Sequence, residues 1–474
     1  MAAGVRGRAR AVVGLVALAL ALAGATSPAW SAPRAGCQAS RPAVAHRAGG
    51  IALTPQPGGA PIPCAVLLGR SSESALVGAT GDGAIFYSSI LGNSLPAPWD
   101  TLIGPESVTR SLDGGASWTT LSSGGPTTGG LVPPWMDVDP QTDRIWFVTT
   151  LGDLCGARIS WSDDDGAQWT TNPSVGCPGM GSERVLEGPA PAGGAQPVGY
   201  PHVVYYCGNL IDILPSLLYC DRSLDGGRTF APIASFPDLA DLPSLPGACG
   251  VDHIATPGTV GPDGYLYFPL DECGGLGVAI SRDEGASWRS VAVAPQTHLE
   301  DIYISSTAAD AAGNVYIAWI AGSGGGNGGV GGTGLPYLAI SRDHGLTWSA
   351  PMMIAAPGVS AAQHAAVTAE GDGRVAVSYL GSTDGGATYS GYITLTHDAL
   401  APRPVFWSAA VNDPSRPLAS GTRAQTFGDR LWVISDAFGP DGWPWAGFQC
   451  AYETACPDER VGVVGSLAPS GPIR

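Results

Sequence analysis

An eight-residue pattern, S-x-D-x-G-x-x-aromatic, recurs through this chain of 474 residues and constrains its fold more than any other feature. The five clear copies are SLDGGASW at 111–118, SDDDGAQW at 162–169, SLDGGRTF at 223–230, SRDEGASW at 281–288 and SRDHGLTW at 341–348. Successive copies begin 51, 61, 58 and 60 residues apart. A steady spacing of this size indicates an array of similar supersecondary units.

A sixth stretch, STDGGATY at 382–389, fits the same letters but comes early in its unit. The sequence leaves two interpretations open: a sixth copy of the turn, or a loop that only resembles one.

Each copy of the pattern has the composition of a tight hairpin turn. Ser and Asp side chains bind nearby backbone N–H groups, and glycine adopts backbone angles that a β-carbon disfavours. Asp-Gly pairs at 82–83, 263–264, 372–373 and 441–442 mark a second turn in several units. Each unit therefore predicts four antiparallel strands, which is the composition of a β-propeller blade.

The units are predicted to form an all-β propeller of seven four-stranded blades, with six blades as the alternative. They begin near Glu73, Met136, Arg184, Asp252, Asp301, His364 and Asp429. A strand at 64–69 is expected to pair with the last unit, which closes the ring and removes an open edge. The predicted boundaries are a signal peptide at 1–32, an N-terminal extension at 33–63, the propeller at 64–468 and a C-terminal tail at 469–474.

The first 32 residues have the features of a secretory signal peptide. Arg6, Arg8 and Arg10 precede an apolar stretch at 11–25 that is too short to span a bilayer comfortably. No later segment of the sequence is apolar enough to cross a membrane. We therefore expect a secreted, extracellular protein, and we expect it to be a monomer.

Ten cysteines in an exported chain predict disulfides. Neighbours in the sequence are expected to pair, which gives Cys37–Cys64, Cys155–Cys177, Cys207–Cys220, Cys249–Cys273 and Cys450–Cys456. The formal net charge of −17 argues against nucleic acids and anionic membranes as partners.

The repeats resemble the BNR or Asp-box repeats of the sialidase superfamily, and the resemblance covers 64–468. It implies a propeller whose boxes lie on the face opposite the active site. Sialidases of this kind bind the substrate carboxylate with three arginines, and use a tyrosine nucleophile, assisted by a glutamate, and an aspartate acid/base. Their first arginine sits in an F/Y-R-I-P motif, which this sequence lacks.

The resemblance also selects candidate catalytic residues. Six other arginines lie in or beside the boxes and therefore on the wrong face: Arg110, Arg222, Arg228, Arg282, Arg289 and Arg342. The candidates by position are Arg184, Arg423, Arg430, Asp252 and Asp301.

Acidic residues recur where the first strand of a unit is predicted to begin: Glu73, Asp137, Glu183, Asp252, Asp301 and Asp429. Because that strand is innermost, these side chains are expected to ring the mouth of a central channel. Carboxylates and backbone carbonyls suit Ca²⁺, so a calcium site is one interpretation. The other is that each acid binds backbone N–H groups of its own connection. No cofactor is required by the sequence.

Three functions follow from these patterns. The first is binding of a glycan or another extracellular ligand on the channel face. The second is an exo-sialidase or a related glycoside hydrolase. The third is a non-catalytic scaffold for protein partners. Three arginines converging on one point beside a Tyr–Glu pair would favour the enzyme.

Overall fold

The computed structural model describes thirteen segments of the chain. They are residues 41–70, 73–90, 106–121, 135–150, 157–175, 180–210, 217–233, 258–272, 275–294, 305–322, 334–420, 435–450 and 461–468. All of them belong to one compact unit that spans 34–474. Their regular secondary structure is β throughout. Within these segments, no helix has the length and apolar character needed to cross a membrane.

The described strands form seven sheets, each with four antiparallel strands in a row. The first sheet contains β4 (Glu73–Ala79), β5 (Ile85–Ile90), β6 (Glu106–Ser111) and β7 (Thr119–Thr120). The second contains β8 (Trp135–Val138), β9 (Ile145–Thr150), β10 (Ala157–Ser162) and β11 (Thr170–Val175). The third contains β12 (Met180–Gly188), β13 (Val203–Leu210), β14 (Leu217–Ser223) and β15 (Ala231–Pro232). The fourth contains β16 (Thr259–Val260), β17 (Leu266–Glu272), β18 (Gly275–Ser281) and β19 (Arg289–Ala294).

The remaining three sheets follow the same order. The fifth contains β20 (Ser306–Ala309), β21 (Val315–Ala321), β22 (Leu335–Ser341) and β23 (Met352–Met353). The sixth contains β24 (Ala361–Glu370), β25 (Arg374–Ser382), β26 (Thr388–Thr396) and β27 (Phe406–Ala410). The seventh contains β29 (Asp436–Phe438), β30 (Pro444–Cys450), β31 (Val461–Ala468) and β3 (Ile62–Arg70).

The first strand of each sheet contacts the first strands of the sheets on either side. The contacts run from β4 to β8, β12, β16, β20, β24 and β29, and β29 contacts β4 again. The sheets are therefore arranged in a closed cycle with these seven strands innermost, which is the architecture of a β-propeller.

The ring closes as the sequence predicts. Strand β3 pairs antiparallel with β31, and Cys64 lies opposite Ser466. The closing strand is longer than the predicted 64–69, because Ile62 and Pro63 also pair with β31. The seventh sheet is thus built from segments near the two ends of the described chain.

Three further strands extend the sixth sheet. Strand β1 (Val44–Arg47) pairs with β27, and β2 (Ile51–Ala52) pairs with β1. Strand β28 (Ala419–Ser420) pairs with the start of β26. Strands β1 and β2 lie within the segment that we interpreted as an N-terminal extension, and they cover the outer edge of this sheet.

The middle strands of each sheet are buried on both faces. Every residue of β18, β21 and β30 is buried. These strands carry near-continuous apolar runs because adjacent sheets cover both of their faces. Close packing extends to the innermost strands. A β-carbon at Gly78 would lie 2.4 Å from Val138, and one at Gly188 would lie 2.4 Å from Val260.

The five clear copies of the repeated pattern are turns between the third and fourth strands of their sheets. In the fourth sheet, the Ser281 hydroxyl donates to Asp283 at 3.0 Å and accepts from the Gly285 N–H at 2.8 Å. Asp283 also accepts from the N–H of Ser287 at 2.8 Å and from its hydroxyl at 2.5 Å. Equivalent Ser–Asp and Ser–Gly bonds occur in the other four copies.

The sixth stretch has the same hydrogen bonds but lies at the other end of its sheet. Ser382 donates to Asp384 at 2.6 Å and accepts from the Gly386 N–H at 2.8 Å. It joins the second and third strands, β25 and β26. The turn after β26 instead uses Thr396, which donates to Asp398 at 2.9 Å. Because the stretch at 382–389 forms the hydrogen bonds of the other copies, the interpretation that it is only a loop is wrong. It differs from the other five copies in its position between the second and third strands of its sheet.

One predicted disulfide is confirmed within the described residues. Cys207 and Cys220 lie opposite each other on β13 and β14 and are bonded. Cys64 and Cys450 are also disulfide-bonded. Their predicted partners, like both members of the other two predicted pairs, lie outside the described residues.

Candidate functional site

A cavity of about 430 Å³ lies between the innermost strands of the ring. Residues from all seven of these strands, or from the turns that follow them, line its wall. Much of this wall is backbone and small side chains, because an innermost strand presents its open edge to the channel.

The described wall of the cavity is strongly acidic. Its six carboxyl side chains are Asp137, Asp139, Glu187, Asp310, Glu370 and Asp436. No arginine lines the described wall, and His202 is the only lining residue there that can become positively charged. The described wall therefore offers carboxyl groups to a ligand and no arginine that could pair with an anion.

Asp139 is held in the wall by hydrogen bonds with four residues. Its Oδ2 lies 2.7 Å from His202 Nδ1 and accepts from the Tyr200 hydroxyl at 2.5 Å and from Thr142 at 2.8 Å. The Gln141 N–H donates to its other oxygen. Burial acts to raise the pKa of Asp139, but the bonds from His202 and Tyr200 outweigh it and the pKa is lowered. Asp139 is therefore an anchored carboxylate.

Glu187 and Asp137 lie beside this anchored carboxylate, where the second and third sheets meet. Burial raises the pKa of Glu187 well above its ordinary value, and the charges of Asp137 and Asp139 raise it further. Burial likewise raises the pKa of Asp137. The buried Oε2 atom of Glu187 has no hydrogen-bond partner among the described residues. Glu187 and Asp137 thus lie beside the ionised Asp139 carboxylate, and ionising both of them there is energetically unfavourable.

Two arginines flank this acidic group without entering the cavity wall. The Arg184 guanidinium lies over the Trp135 ring, 3.0 Å from its centroid, and its charge acts to lower the pKa of Asp137. Arg144 is almost fully buried and forms a two-point ion pair with Asp163 at 2.5 and 2.8 Å. Both guanidinium groups already have partners within the protein.

Asp436 lies across the ring from these residues. Its Oδ2 accepts from the N–H and from the hydroxyl of Ser378 on the sixth sheet, both at 3.1 Å. Burial raises its pKa to about 8, and the bonds from Ser378 offset part of that effect.

The structure places only some of the residues predicted from sequence. Glu73 is the first residue of β4, whereas Asp137 lies inside β8 and Glu183 inside β12. Arg184 also lies in β12 and is buried. The other predicted residues lie outside the described segments: Asp252, Asp301, Asp429, Arg423 and Arg430.

The predicted acidic ring stays a prediction, because Asp137 is the one of its six members whose side chain the structure describes. Within the described part of the chain, no three His, Cys, Asp or Glu side chains form a group that could hold a metal ion. Asp137, which we expected at the head of its strand, belongs instead to the wall of the cavity. The reason is that β8 begins at Trp135, two residues before Asp137.

Sequence reasoning missed Asp139, Glu187, His202 and Asp436. Asp139 carries a weak signal, because it opens a turn directly after an innermost strand. Glu187 lies near the end of β12 and carries no comparable signal in the sequence. Nothing in the sequence links His202 to Asp139, 63 residues away.

Comparisons with solved structures agree on the fold. No family model matches the chain, and no curated protein matches it. The polysaccharide lyase Uly1 has a TM-score of 0.50 at 9% identity, over 84% of this chain and 91% of that one. This similarity extends to the fold alone. The fold is a β-propeller.

Two other propellers are more distant. A fucose-binding lectin from Aleuria aurantia, described as six-bladed, has a TM-score of 0.43 at 13% identity, over 72% of this chain and 96% of that one. The NanB sialidase from Streptococcus pneumoniae has a TM-score of 0.42 at 12% identity, over 85% of this chain and 70% of that one.

Proposed function

We propose that this protein is a secreted propeller that binds a neutral glycan at the central channel. The observation that carries the proposal is the acid-lined cavity, in which six carboxyl groups face a space without an arginine in its described wall. Carboxyl oxygens accept hydrogen bonds from sugar hydroxyls, whereas a glycan carboxylate would meet charge of its own sign.

The buried Glu187 oxygen supports this proposal. A buried carboxyl oxygen that finds no partner among the described residues is costly, and a ligand hydroxyl would satisfy it. The similarity to a polysaccharide lyase is compatible with a carbohydrate ligand. A sialidase would need three arginines at one point, and Arg184 is the one member of the predicted trio among the described residues.

We further propose that the ring consists of seven Asp-box blades and that the protein acts outside the cell as a monomer. Seven sheets with a closed cycle of inner contacts support the blade count. The Cys207–Cys220 disulfide supports an oxidising compartment. A density map of the purified protein would test the count, and light scattering would test the monomer.

The ligand class can be tested with labelled protein on an array of neutral, amino-substituted and carboxylated glycans, followed by calorimetry on the strongest hit. We expect binding to neutral or amino glycans and none to sialylated ones. Binding confined to carboxylated glycans would contradict the proposal. Release of the fluorophore from a fluorogenic sialoside would instead favour the alternative function of a glycoside hydrolase.

A blocking variant locates the site. Thr368 lines the cavity from β24, so Thr368→Trp should fill the channel and weaken glycan binding by at least about tenfold. Thr119→Trp places the same bulky side chain on an exposed outer strand and should bind like the wild type. Equal glycan affinities in the two variants would mean that the ligand binds outside the cavity.

A further inference from the structure

Two consecutive side chains hold the innermost strand of the seventh sheet on both sides. The Ser435 hydroxyl accepts from the Val77 N–H at 2.6 Å and donates to the Val77 carbonyl at 3.2 Å, which ties it to the first sheet. Asp436 accepts both hydrogen bonds from Ser378 on the sixth sheet. The pair Ser435–Asp436 is therefore a bracket across two junctions of the ring.

The innermost strand of the seventh sheet is short, so side-chain bonds matter more for holding it in place than they would for a longer strand. Strand β29 has three residues and pairs with β30 through Asp436, Ala437 and Phe438. Its other edge faces the channel, where no further strand can pair with it. The side-chain bonds of the bracket thus add to the backbone pairing that fixes this strand between its neighbours, which includes a bond from the Gly447 N–H to the Ser435 carbonyl at 3.0 Å.

Within the described segments, the Asp436 carboxyl has no opposite charge nearby. Strand β24 carries His364 and Glu370, and β25 carries Arg374 and Tyr379. Glu370 and Arg374 pair with each other at 2.8 Å. The one ionisable residue on β4 is Glu73, four residues before Val77, and β30 carries only the disulfide-bonded Cys450. Among the described side chains, no charged group acts on the pKa of Asp436, which burial raises.

We propose that Asp436 is a proton-dependent latch on the junction between the sixth and seventh sheets. With its carboxyl neutral, the junction stays closed. When the proton leaves to bulk water, a full negative charge remains in a wall whose described residues supply no countercharge. Solvation of that charge requires water from the adjoining cavity, and water between the sheets loosens the junction.

Hydrogen–deuterium exchange of the Ser378 and Val77 amides tests this latch, because both N–H groups donate to the bracket. In the wild type, protection of these amides, corrected for intrinsic exchange, should fall about tenfold between pH 6 and pH 9. In Asp436→Asn, which keeps the acceptor oxygen and cannot ionise, protection should stay level. Asp413→Asn removes an exposed carboxylate elsewhere and should follow the wild type.

A second variant reports on the proton itself. Ser378→Ala removes a donor that favours the ionised carboxyl, so the loss of protection at Val77 should move to higher pH. A purely structural role for Ser378 would lower protection at every pH without moving the midpoint. Level wild-type protection across this range, an equal fall in Asp436→Asn, or an unmoved midpoint in Ser378→Ala would each overturn the latch.

Discussion

The fourth residue of each box adopts left-handed backbone angles whatever its side chain. Its φ values are 65° at Gly114, 54° at Asp165, 70° at Gly226, 59° at Glu284, 59° at His344 and 74° at Gly385. A residue with a β-carbon is strained there by roughly 1 kcal/mol. Glu284 and His344 compensate, because Glu284 binds Arg222 and His344 lies 2.6 Å from Asp263, both on the preceding sheet.

Asp165 has the same strain. Its carbonyl accepts from Arg110, and glycine would keep that bond. Burial raises the pKa of its carboxyl, and the charge of Asp82 raises it further, although the charge of Arg110 on the preceding sheet acts to lower it. We expect Asp165→Gly to raise the free energy of unfolding by about 0.5–1 kcal/mol at pH 7. The matched control is Gly226→Asp, which should destabilise, because its β-carbon would lie 2.9 Å from Tyr200. Denaturant unfolding that shows no gain for Asp165→Gly would contradict the strain argument.

The box aspartate is a structural residue, and Asp283 is not among the residues that line the cavity. Asp283→Ala removes three hydrogen bonds of its turn and should lower the free energy of unfolding by about 1–3 kcal/mol. Glycan affinity should stay unchanged in calorimetry on the folded variant. Normal stability combined with lost binding would place the ligand at the box turn and not in the cavity.

Among the strands, the closing strand β3 decides whether the ring is continuous. It joins the seventh sheet through seven register pairs with β31, from Ile62 to Arg70. It comes from the other end of the described chain, so no local turn can hold it there. Its attachment rests on backbone pairing and on the burial of side chains such as Ala65, which is 5% exposed.

A charge on the buried side of β3 should open the ring. Ala65→Asp would place a carboxylate in the core shared by the sixth and seventh sheets, and we expect a loss of about 3 kcal/mol or more. Leu67→Asp on the same strand is the control, because Leu67 is 47% exposed and should tolerate the change. Thermal unfolding and limited proteolysis would measure both. Similar melting temperatures would mean that β3 is dispensable.

Across the propeller as a whole, two groups of carboxyls titrate in opposite senses. Several cavity carboxyls have raised pKa values, as in Asp436, which moves from 3.8 to about 8. Their stabilising effect is complete below the pKa of the unfolded chain and is lost as pH rises through the folded value. Box aspartates have lowered values, as in Asp113 at about 2, where bonds from Ser117 are the main cause. Their effect is lost as pH falls.

The free energy of unfolding should therefore be highest in mild acid, at about pH 5, and decline toward pH 9. Glu187→Gln should flatten this decline, because the substituted amide would carry no charge into the junction between the second and third sheets. Glu370→Gln is the control, since Glu370 is paired with Arg374 and its side chain is 41% exposed. Denaturant unfolding at several pH values would measure the slopes. An unchanged slope in Glu187→Gln would mean that the group is already ionised at neutral pH.

The repeating turns, the strand composition of the sheets and the closure of the ring could all be predicted from the sequence. Each box places its donors and acceptors within eight residues, so spacing alone specifies the bonds. The Cys207–Cys220 pair was predictable for a similar reason, since both residues lie on consecutive strands. The strand at 64–69 was predictable because a ring with an open edge is unfavourable.

The protonation of the cavity carboxyls depends instead on how the sheets assemble. So does the end of the sheet at which each turn lies. Asp139 and His202 belong to different sheets, and Asp436 meets Ser378 from 58 residues away. Their protonation depends on burial that neighbouring sheets create, and sequence spacing does not encode it. The turn at 382–389 has the same letters as the other five, but the pairing of the sixth sheet places it between the second and third strands. Short spacings specify local bonds, whereas burial and charge arise when distant strands meet.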